Sequence, residues 1–506
     1  MGIRDFLASM FGTSAKYPPR RQYSGAAGGR TMMDWIAGST SQDAETRQSL
    51  RSLRNRTRDL ARNNDYVVNA LRAIQSNIVG TGVSMQSQVK RGRGPGAGAL
   101  DTAVNDEIEA AWKEWGKARN CHTAGVLAFN EIERLAVRSV AESGDVFLRL
   151  IRQPFGTSRI PLALELIEAD RCDDQFTGRY GANEVRMGVE VDSWQRPVAY
   201  WFLTRHPGDT EFNGTRQERV RIPAEEIIHL YRSDRPGQTR GVPWFSSALT
   251  RLRHMSGYEE AEVIAARASA CQMGFITSAE PEFEREKSDD PAAPPITEFA
   301  PGKIVRLGDG EKFDGYNPTR PSGLLDPFMR YMLRGVASGV GVSYSTISHD
   351  YSQSNYSSSR LELLQDRDTW RQLQGWLIEA LHRRVFEKWL EMAVLSGTLN
   401  LPRYELDPQR YLAQRWIPRG WNWIDPAREV AAYKLAVRSG FMTLAEVVTQ
   451  NGGDFDDLAH ARQREIDLCN ELGLVFDTDP SQVTDQGQAQ PEPSADQLAE
   501  KLSEAA

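Results

Sequence analysis

The stretch FNEIERLAVRSVAESGDVFLRLIR, Phe129 to Arg152, contains the change of pattern that decides the fold class of this chain. Up to Ser143 its apolar residues recur at helical spacing, which predicts a helix. From Val146 they alternate with polar residues or run together, which predicts a strand. A helical start followed by strands on short turns is typical of a mixed α+β fold.

Upstream of this stretch the pattern is helical. It predicts helices from Ala44 to about Ile78 and from about Val104 to Lys117. The first is broken at residues 63–65, where we expect Asp65 to cap a second helix. Gly80 and Gly82 then end that helix, because glycine readily adopts the left-handed conformation.

Downstream, strand-like segments continue to residue 231. They are 162–167, 187–192, a hairpin over 191–202 closed by a turn at 193–196, and 227–231. Helices are expected at 246–273, 325–338 and 361–395, and the block 411–474 is expected to be helical. Between them we expect an acidic, proline-rich insertion at 278–302, a short strand at 304–307, a turn at 317–323 and a long polar loop at 343–360.

Length and composition bound the protein class. With 506 residues, 40% of them hydrophobic, the chain is expected to form roughly three domains with a sizeable core. It contains no apolar run near the ~20 residues that a membrane helix needs, and its N-terminus is a poor secretion signal. Four cysteines lie far apart, which indicates a reducing compartment and neither a disulfide scaffold nor a structural zinc site.

The charge distribution is uneven. The net charge is −7, which disfavours a basic nucleic-acid binder, and Arg supplies 51 of the 61 basic residues. Six arginines lie between Arg47 and Arg62, with a single acidic residue among them. This balance fits a protein that touches DNA without holding it tightly, because a strongly basic lining would bind phosphates firmly. Ordinary charged helix faces would explain it as well.

No catalytic motif is evident. The chain has no phosphate-binding P-loop, no dinucleotide fingerprint and no His pair with zinc-protease spacing. Cys121-His122 has no ligand-spaced partner and is interpreted as structural. His229 is interpreted as a hydrogen-bonded strand residue. We therefore expect neither a cofactor nor a metal.

The acidic sequence ELIEADRCDD offers two interpretations. Paired carboxylates at Glu165, Glu168, Asp170, Asp173 and Asp174 would suit Mg²⁺ or acid–base chemistry. Alternatively, the acids end a strand and pair with Arg171 and neighbouring arginines, which we favour.

The segment Ser343–Arg360 is rich in neutral hydrogen-bonding groups. It holds eight serines, three tyrosines, one threonine and one asparagine. Such a loop would contact phosphates weakly and without sequence preference, and loops of this length are more often functional than filler.

Seven segments in order resemble the lambda-type family of tailed-phage portal proteins. They are ARNNDYVVNALRAIQSNIVGTGV (61–83), the Trp112/Trp115 helix followed by Cys121, PLALELIEADRCDD (161–174), GVEVDSWQRPVAYWF (188–202), RIPAEEIIHLYRSDRPGQTRGVPW (221–244), GVGVSYSTISHDYSQSNYSSSR (339–360) and WNWIDPAREVAAYKLAVRSGFMTLAEVV (421–448). Together they span most of residues 45–475.

The resemblance implies a portal-type subunit with wing, stem, clip and crown. On that pattern we expect a flexible arm (1–42), an α+β wing (43–245), stem helices (246–342) with a clip-like insertion (about 278–323), a tunnel loop and long helix (343–400), a helical crown (401–475) and a disordered acidic tail (476–506).

The resemblance also implies the function and the partners. A ring, typically of twelve copies, would lie at one capsid vertex of the virion, assembled in the host cytoplasm. DNA would be packaged through it by terminase and later ejected into the tail. The expected partners are the terminase large subunit, head-completion or tail-adaptor proteins, the major capsid and scaffold proteins, and double-stranded DNA without sequence specificity; no membrane is expected.

Three groups of residues are candidates for these roles. For the DNA channel they are Ser343, Tyr344, His349, Ser352, Ser354, Asn355, Tyr356 and Arg360. For the subunit interface they are Arg51, Arg54, Arg58 and Arg62, and for terminase contact at the clip they are Glu280, Glu282, Glu284 and Glu286. Two other functions stay open from the sequence: a metal-dependent DNA-processing enzyme using residues 165–174, and a tail or baseplate ring protein.

Overall fold

The computed structural model describes residues 38–92, 98, 100–209, 218–270, 274–278, 311–315, 325–421 and 425–474. In chain order its helices are α1 (Gln42–Asn63), α2 (Asp65–Ile78), α3 (Thr102–Trp115), α4 (Ala118–Cys121), α5 (Phe129–Ser143), α6 (Leu249–Ala270), α7 (Leu325–Val340), α8 (Tyr344–Ser348), α9 (Tyr356–Leu377), α10 (Arg383–Leu395), α11 (Pro408–Tyr411), α12 (Pro426–Arg438), α13 (Leu444–Gln450) and α14 (Phe455–Leu472). A π-helical turn, Ile378–His382, joins α9 to α10.

Twelve strands form four antiparallel sheets within the described residues. They are β1 (Ser84–Ser87), β2 (Asp145–Ile151), β3 (Ala163–Glu168), β4 (Gly178–Tyr180), β5 (Asn183–Arg186), β6 (Val189–Val191), β7 (Pro197–Leu203), β8 (Arg219–Pro223), β9 (Ile227–Tyr231), β10 (Gly274–Ser278), β11 (Glu311–Gly315) and β12 (Gln414–Ile417). The strand orders are β3-β2-β9, β4-β5-β6-β7-β8, β1-β12 and β10-β11. The mixed α+β class expected from the sequence is confirmed.

The junction between α1 and α2 differs from the expectation by one residue. Asn64, not Asp65, caps α2, because its backbone is extended and its Oδ1 accepts the N–H of Val67 at 3.1 Å. Asp65 lies in the first turn, where a carboxylate faces the positive end of the helix dipole. Gly80, with φ +62°, follows the end of α2 as expected.

Strand β2 lies in the middle of a three-layer arrangement. Val146, Leu148 and Leu150 face the helices and belong to the large core. The intervening Phe147 belongs to a second core, which the three-stranded sheet shares with the five-stranded sheet. Since successive strand residues point to opposite faces, β2 is buried on both sides and joins the two cores.

Helices α6 and α7 form an antiparallel pair. Ser247 donates to the Gly339 carbonyl oxygen at 3.2 Å, just outside α6. Further along the pair, the Tyr258 and Phe328 rings lie 4.5 Å apart. Between these contacts the Arg251 side chain crosses α7 at Gly335, where a Cβ atom would lie 1.2 Å from its Nη1. The expected helix 246–273 is observed as Leu249–Ala270.

The prediction of a loop over residues 343–360 is wrong for about half of that segment. Residues 344–348 form α8, capped by Ser343, and α9 begins at Tyr356 after the Asn355 cap. The serines that suggested a loop supply both helix caps, because serine and asparagine oxygens accept the free N–H groups of a first turn. The long helix expected from 361 therefore starts five residues earlier.

The block 411–474 is also not wholly helical. Residues Gln414–Ile417 form β12, which pairs with β1 in register Ser84↔Ile417. Helices α12, α13 and α14 follow as expected, and none of them contains a buried residue.

Several expectations lie outside the described residues. These are most of the arm, residues 279–302 of the insertion, the strand at 304–307, the turn at 317–323 and the tail from 476. The insertion is flanked by β10 and β11, which pair from Gly274↔Gly315 to Ser278↔Glu311. No helix in the described part of the chain is both long and apolar enough to span a bilayer.

Candidate functional surfaces

The first half of the candidate channel segment, Ser343–Asp350, is fixed to the body of the subunit. Asn69 on α2 donates from Nδ2 to the carbonyl oxygens of Thr346 and Ile347, at 2.9 and 2.8 Å. His349 adopts a left-handed conformation that places its Nε2 3.0 Å from Asn69 Oδ1. This half of the segment is therefore held on α2.

Asp350 ends the fixed half as a hydrogen-bonded carboxylate. Its Oδ1 accepts the N–H of Ser352 at 3.0 Å, and its Oδ2 accepts the Tyr344 hydroxyl at 2.8 Å. These bonds, Ser352 first, together with Arg330 at 3.4 Å, lower the pKa of Asp350 to about 2. Asp350 is thus ionised and oriented at neutral pH.

The second half, Tyr351–Ser358, is exposed throughout. Its backbone is held locally: Ser354 N–H donates to the Tyr351 carbonyl oxygen, and Asn355 accepts the Ser358 N–H at 2.8 Å. Tyr356 has 57% of its surface exposed. No Asp, Glu, Lys, Arg or His occurs in these eight residues, and Arg360, partly buried, follows one turn into α9. The exposed half is a neutral surface between two fixed ends.

The four candidate interface arginines on α1 have different environments. Arg51 and Arg62 are exposed. Arg58 pairs with Asp170 of the same subunit at 2.5 Å and donates to Ser143 Oγ. Arg54 is completely buried, so the expectation that it contacts another subunit is wrong. Its position on the inner face of the amphipathic helix α1 places it against the sheet instead.

A buried ionic centre surrounds Asp145, the first residue of β2. Its carboxylate accepts hydrogen bonds from Arg240 Nε at 2.5 Å, Arg54 Nη2 at 3.2 Å and the Gly241 N–H at 3.3 Å. His229 Nε2 lies 3.3 Å from the same carboxylate. Burial alone would raise the pKa of Asp145, but Arg240, His229 and Arg54 together lower it far below its usual range.

The same centre connects both sheets. Arg240 also donates to the carbonyl oxygens of Ala169, Cys172 and Met187, and its guanidinium lies over the Phe147 ring at 5.2 Å. Burial lowers the pKa of His229, so its neutral ring donates Nε2–H to the ionised Asp145. The interpretation of His229 as a hydrogen-bonded strand residue is confirmed.

Sequence reasoning missed Asp145 and Arg240. Arg240 lies in the segment RPGQTRGVPW, which carries the family resemblance, and that context was the one available signal. The two residues are 95 positions apart, so spacing does not connect them.

The acidic residues 165–174 pair mainly with arginines. Asp170 contacts Arg58 and Arg54, Asp173 contacts Arg219 at 2.6 Å, and Glu165 contacts Arg171 at 3.6 Å. Glu168 lies 3.3 Å from His206, and Asp174 accepts from Gln175. Across the described ranges, no group of three or more Asp, Glu, His or Cys side chains is placed to hold a metal ion. The ion-pair interpretation of this sequence is confirmed.

Cys121 and His122 have structural contacts. Burial raises the pKa of the Cys121 thiol to about 12, so the thiol stays protonated and unreactive at neutral pH. His122 Nδ1 accepts the N–H groups of Val126 and Leu127. The clip candidates Glu280, Glu282, Glu284 and Glu286 lie outside the described residues.

Comparison with known families identifies the chain. The model of the family described as phage portal protein, lambda family, matches residues 28–374, which is more than half of the sequence. This chain belongs to that family. As a portal protein it is a structural, non-catalytic component of the phage particle, and portal proteins assemble into a ring in the head–tail connector.

Three portal proteins of other phages align with this chain over most of its length. The probable portal protein of Halomonas phage phiHAP-1 is 31% identical over 448 residues, covering 87% of this chain and 85% of the relative. Portal protein B of Escherichia phage lambda is 24% identical over 499 residues, covering 90% and 91%. The portal protein of Escherichia phage N15 is 24% identical over 496 residues, covering 88% and 90%.

Solved structures with similarity to this portal protein include chains of gene transfer agent (GTA) particles. A chain in the neck of the native GTA particle computed with C12 symmetry has a TM-score of 0.40 and 14% identity, covering 78% of this chain and 93% of that chain. A chain in the virion of the native GTA particle has a TM-score of 0.41 and 16% identity, covering 80% and 93%.

Proposed function

We propose that this portal protein closes into a ring of twelve copies at one capsid vertex and that Tyr351–Ser358 lines the bore. DNA is packaged through the bore by the terminase large subunit and leaves through it toward the head-completion and tail proteins. The ring assembles with the capsid and scaffold proteins in the host cytoplasm. The observation that carries this proposal is the exposed, neutral segment 351–358, held at both ends by the subunit.

The domain plan is proposed on the same family pattern. Residues 43–245 form the wing, 246–342 the stem with a clip at about 278–323, 343–400 the tunnel segment and long helix, and 401–475 the crown. The antiparallel pair α6–α7 supports the stem assignment, because two paired helices of 22 and 16 residues make an elongated, stiff element.

The neutral character of Tyr351–Ser358 suits a channel. A duplex in motion must not meet deep binding wells, and Lys or Arg side chains create such wells by releasing counterions from phosphates. Hydroxyl and amide groups offer only weak, exchangeable hydrogen bonds. Repeated around a ring, the segment gives a polar rim that guides DNA without retaining it.

Substitution of the exposed serines tests the channel assignment. Rings carrying Ser352→Arg and Ser354→Arg together are expected to assemble normally and to package DNA several-fold more slowly, with the defect reduced at higher salt. Ser352→Ala with Ser354→Ala is the neutral control and should package at the wild-type rate. A wild-type packaging rate in the arginine ring at low salt would contradict the assignment.

The C-terminal helices support contact between neighbouring copies. Helices α12–α14 bury no residue within the subunit. This region exposes Leu435 on α12, Phe441 in the loop between α12 and α13, and Leu472 on α14, at 67%, 88% and 63%. Exposed apolar groups of this size are typical of interaction surfaces. We propose that the adjacent copy in the ring buries these apolar side chains.

A pair of matched variants tests this contact. Phe441→Ser with Leu472→Ser is expected to shift the assembly equilibrium from rings to smaller species, as measured by mass photometry across a concentration series. Leu406→Ser is the control, because Leu406 is 82% exposed and lies before these helices. If the rings of the double variant are as stable as wild-type rings, helices α12–α14 do not form the interface.

A further inference from the structure

The long helix that follows the channel segment changes its hydrogen-bond pattern at one place. Between α9 and α10, residues Ile378–His382 form a π-helical turn, and the Arg383 N–H donates to the Ile378 carbonyl oxygen, five residues earlier. A π turn holds one residue more than an α turn and is less stable by itself, so surrounding contacts must maintain it. Such turns also alter the direction of a helix.

His382 supplies one of these contacts. Its side chain is completely buried, and its Nδ1 lies 3.2 Å from the carbonyl oxygen of Leu377, at the start of the π turn. A carbonyl oxygen only accepts, so this contact is a hydrogen bond when Nδ1 carries a hydrogen. The imidazole therefore caps a carbonyl of the turn in which it lies.

Glu133 on α5 fixes the orientation of this ring. Its Oε1 lies 2.7 Å from His382 Nε2, and Glu133 is 1% exposed. Its other oxygen accepts the N–H of Val83 at 3.2 Å, which holds the carboxyl group in place. A carboxylate and a carbonyl oxygen both accept, so the two contacts are both hydrogen bonds only when each imidazole nitrogen carries a hydrogen. By accepting Nε2–H, Glu133 holds the ring in the orientation that points Nδ1 toward Leu377.

Aromatic rings enclose the pair. The Trp416 ring centroid lies 5.0 Å from the imidazole and that of Phe129 lies 5.8 Å away, edge-on. In such surroundings a polar side chain that loses its partner leaves an unsatisfied buried group, which is costly. When His382 loses its partners, the helix avoids this cost by replacing the π turn with a regular α turn, which holds one residue fewer.

We infer that His382, oriented by Glu133, is a positioning residue that maintains the π turn and thereby sets the direction of α9. Loss of the turn would shift α9 by one residue against α10, a rotation of about 100° and a translation of about 1.5 Å. Tyr351–Ser358 lies at the far end of α9 and would move with it. The inference concerns the helix and does not depend on whether that segment faces DNA.

Two substitutions of one residue separate the two imidazole nitrogens. His382→Asn keeps an N–H near the place of Nδ1, and His382→Gln keeps one near the place of Nε2. Assembled rings of both variants would be imaged by electron cryo-microscopy and compared with wild type in the register of α9 against α10. We expect the π turn in the wild-type and Asn rings and a continuous α-helix in the Gln ring.

Assembly itself provides a second readout if a variant folds poorly. Rings from His382→Asn with none from His382→Gln would support the inference. A π turn retained in both rings, failure of both variants to assemble, or rings from His382→Gln alone would overturn it. Glu133→Gln, whose amide can donate to Nε2 and accept from Val83, is the conservative partner variant and should retain the turn; its loss there would also count against the inference.

Discussion

Two carboxylates in this subunit have opposite electrostatic environments. Asp145 is completely buried and accepts hydrogen bonds from two arginines. Glu109 on α3 is partly buried, and its Oε1 accepts the N–H of Ser87 at 2.7 Å. The charged groups near Glu109 include Asp106, Asp454 and Asp457, all acidic.

Their pKa shifts differ in sign accordingly. Burial and the three acidic neighbours raise the pKa of Glu109 to about 7, whereas the arginines and His229 overcome burial and lower the pKa of Asp145. The first region joins α1 to both sheets, and the second joins the C-terminal helices to the body through Gln86, which donates to Asp454 and Asp456. The neighbours, more than the depth of burial, decide whether a carboxylate holds two parts of this molecule together.

The largest expected effect comes from neutralising the buried centre. Asp145→Asn leaves Arg54 and Arg240 buried without a counter-charge, so we expect the free energy of unfolding at pH 7 to fall by about 3–5 kcal/mol. Urea denaturation followed by tryptophan fluorescence measures this loss. Asp368→Asn, at an exposed pair with Arg371, is the control and should change it by less than about 0.5 kcal/mol.

The contribution of Asp145 to the free energy of unfolding depends on pH in the acidic range. Because folding lowers the pKa of Asp145, its contribution is complete above the unfolded value of about 3.9 and is lost as the pH falls below it. The difference between wild type and Asp145→Asn should therefore shrink below about pH 4. A difference that grows with acidity would contradict the ionised state of Asp145.

The next effect distinguishes two arginines of one helix. Arg54→Met removes one of the two arginines bound to Asp145, and we expect a loss of about 2–3 kcal/mol in the free energy of unfolding. Arg62→Met, at an exposed position, should cost less than about 0.5 kcal/mol and act on ring formation instead. Denaturation and mass photometry of both variants separate stability from assembly; equal losses of stability would refute the distinction.

The smallest effect has the opposite sign. Because folding raises the pKa of Glu109 from about 4.3 to about 7, stability falls as the pH rises across this window. Glu109→Gln keeps an acceptor for Ser87 and removes the repulsion. We expect a gain of about 1 kcal/mol at pH 8, less than the full shift implies because water screens this partly exposed group, and no gain at pH 4.

Glu107→Gln is the matched control for that gain. Glu107 is exposed on the same helix and should show no comparable pH dependence. Thermal unfolding of the three proteins at pH 4 and pH 8 measures the effect. A loss of stability at pH 8 in Glu109→Gln would show that the carboxylate attracts rather than repels its surroundings.

The sequence predicts those elements that local patterns determine. Helix α5 and strand β9 have the expected bounds, because apolar periodicity and a following Gly or polar residue specify them without distant partners. Strand β12 was missed because its partner β1 lies about 330 residues away. Helix α8 was missed because its serine-rich sequence has low helix propensity, and Asn69 and Asp366 stabilise it from other helices.

The candidate surfaces follow the same division. The exposed neutral residues 352–356 are evident from composition, since no partner is needed to define them. The burial of Arg54 is not, because an arginine in a basic helix looks exposed until its carboxylate, 91 positions away, is known. The contact of His382 with Glu133 across 249 positions is hidden for the same reason.

Imaging of the purified full-length protein by electron cryo-microscopy tests the central claim most directly. The account predicts closed rings with a continuous bore wide enough for duplex DNA and with Tyr351–Ser358 of every copy on its wall. Persistent monomers, or a ring whose centre is blocked by folded protein, would contradict it.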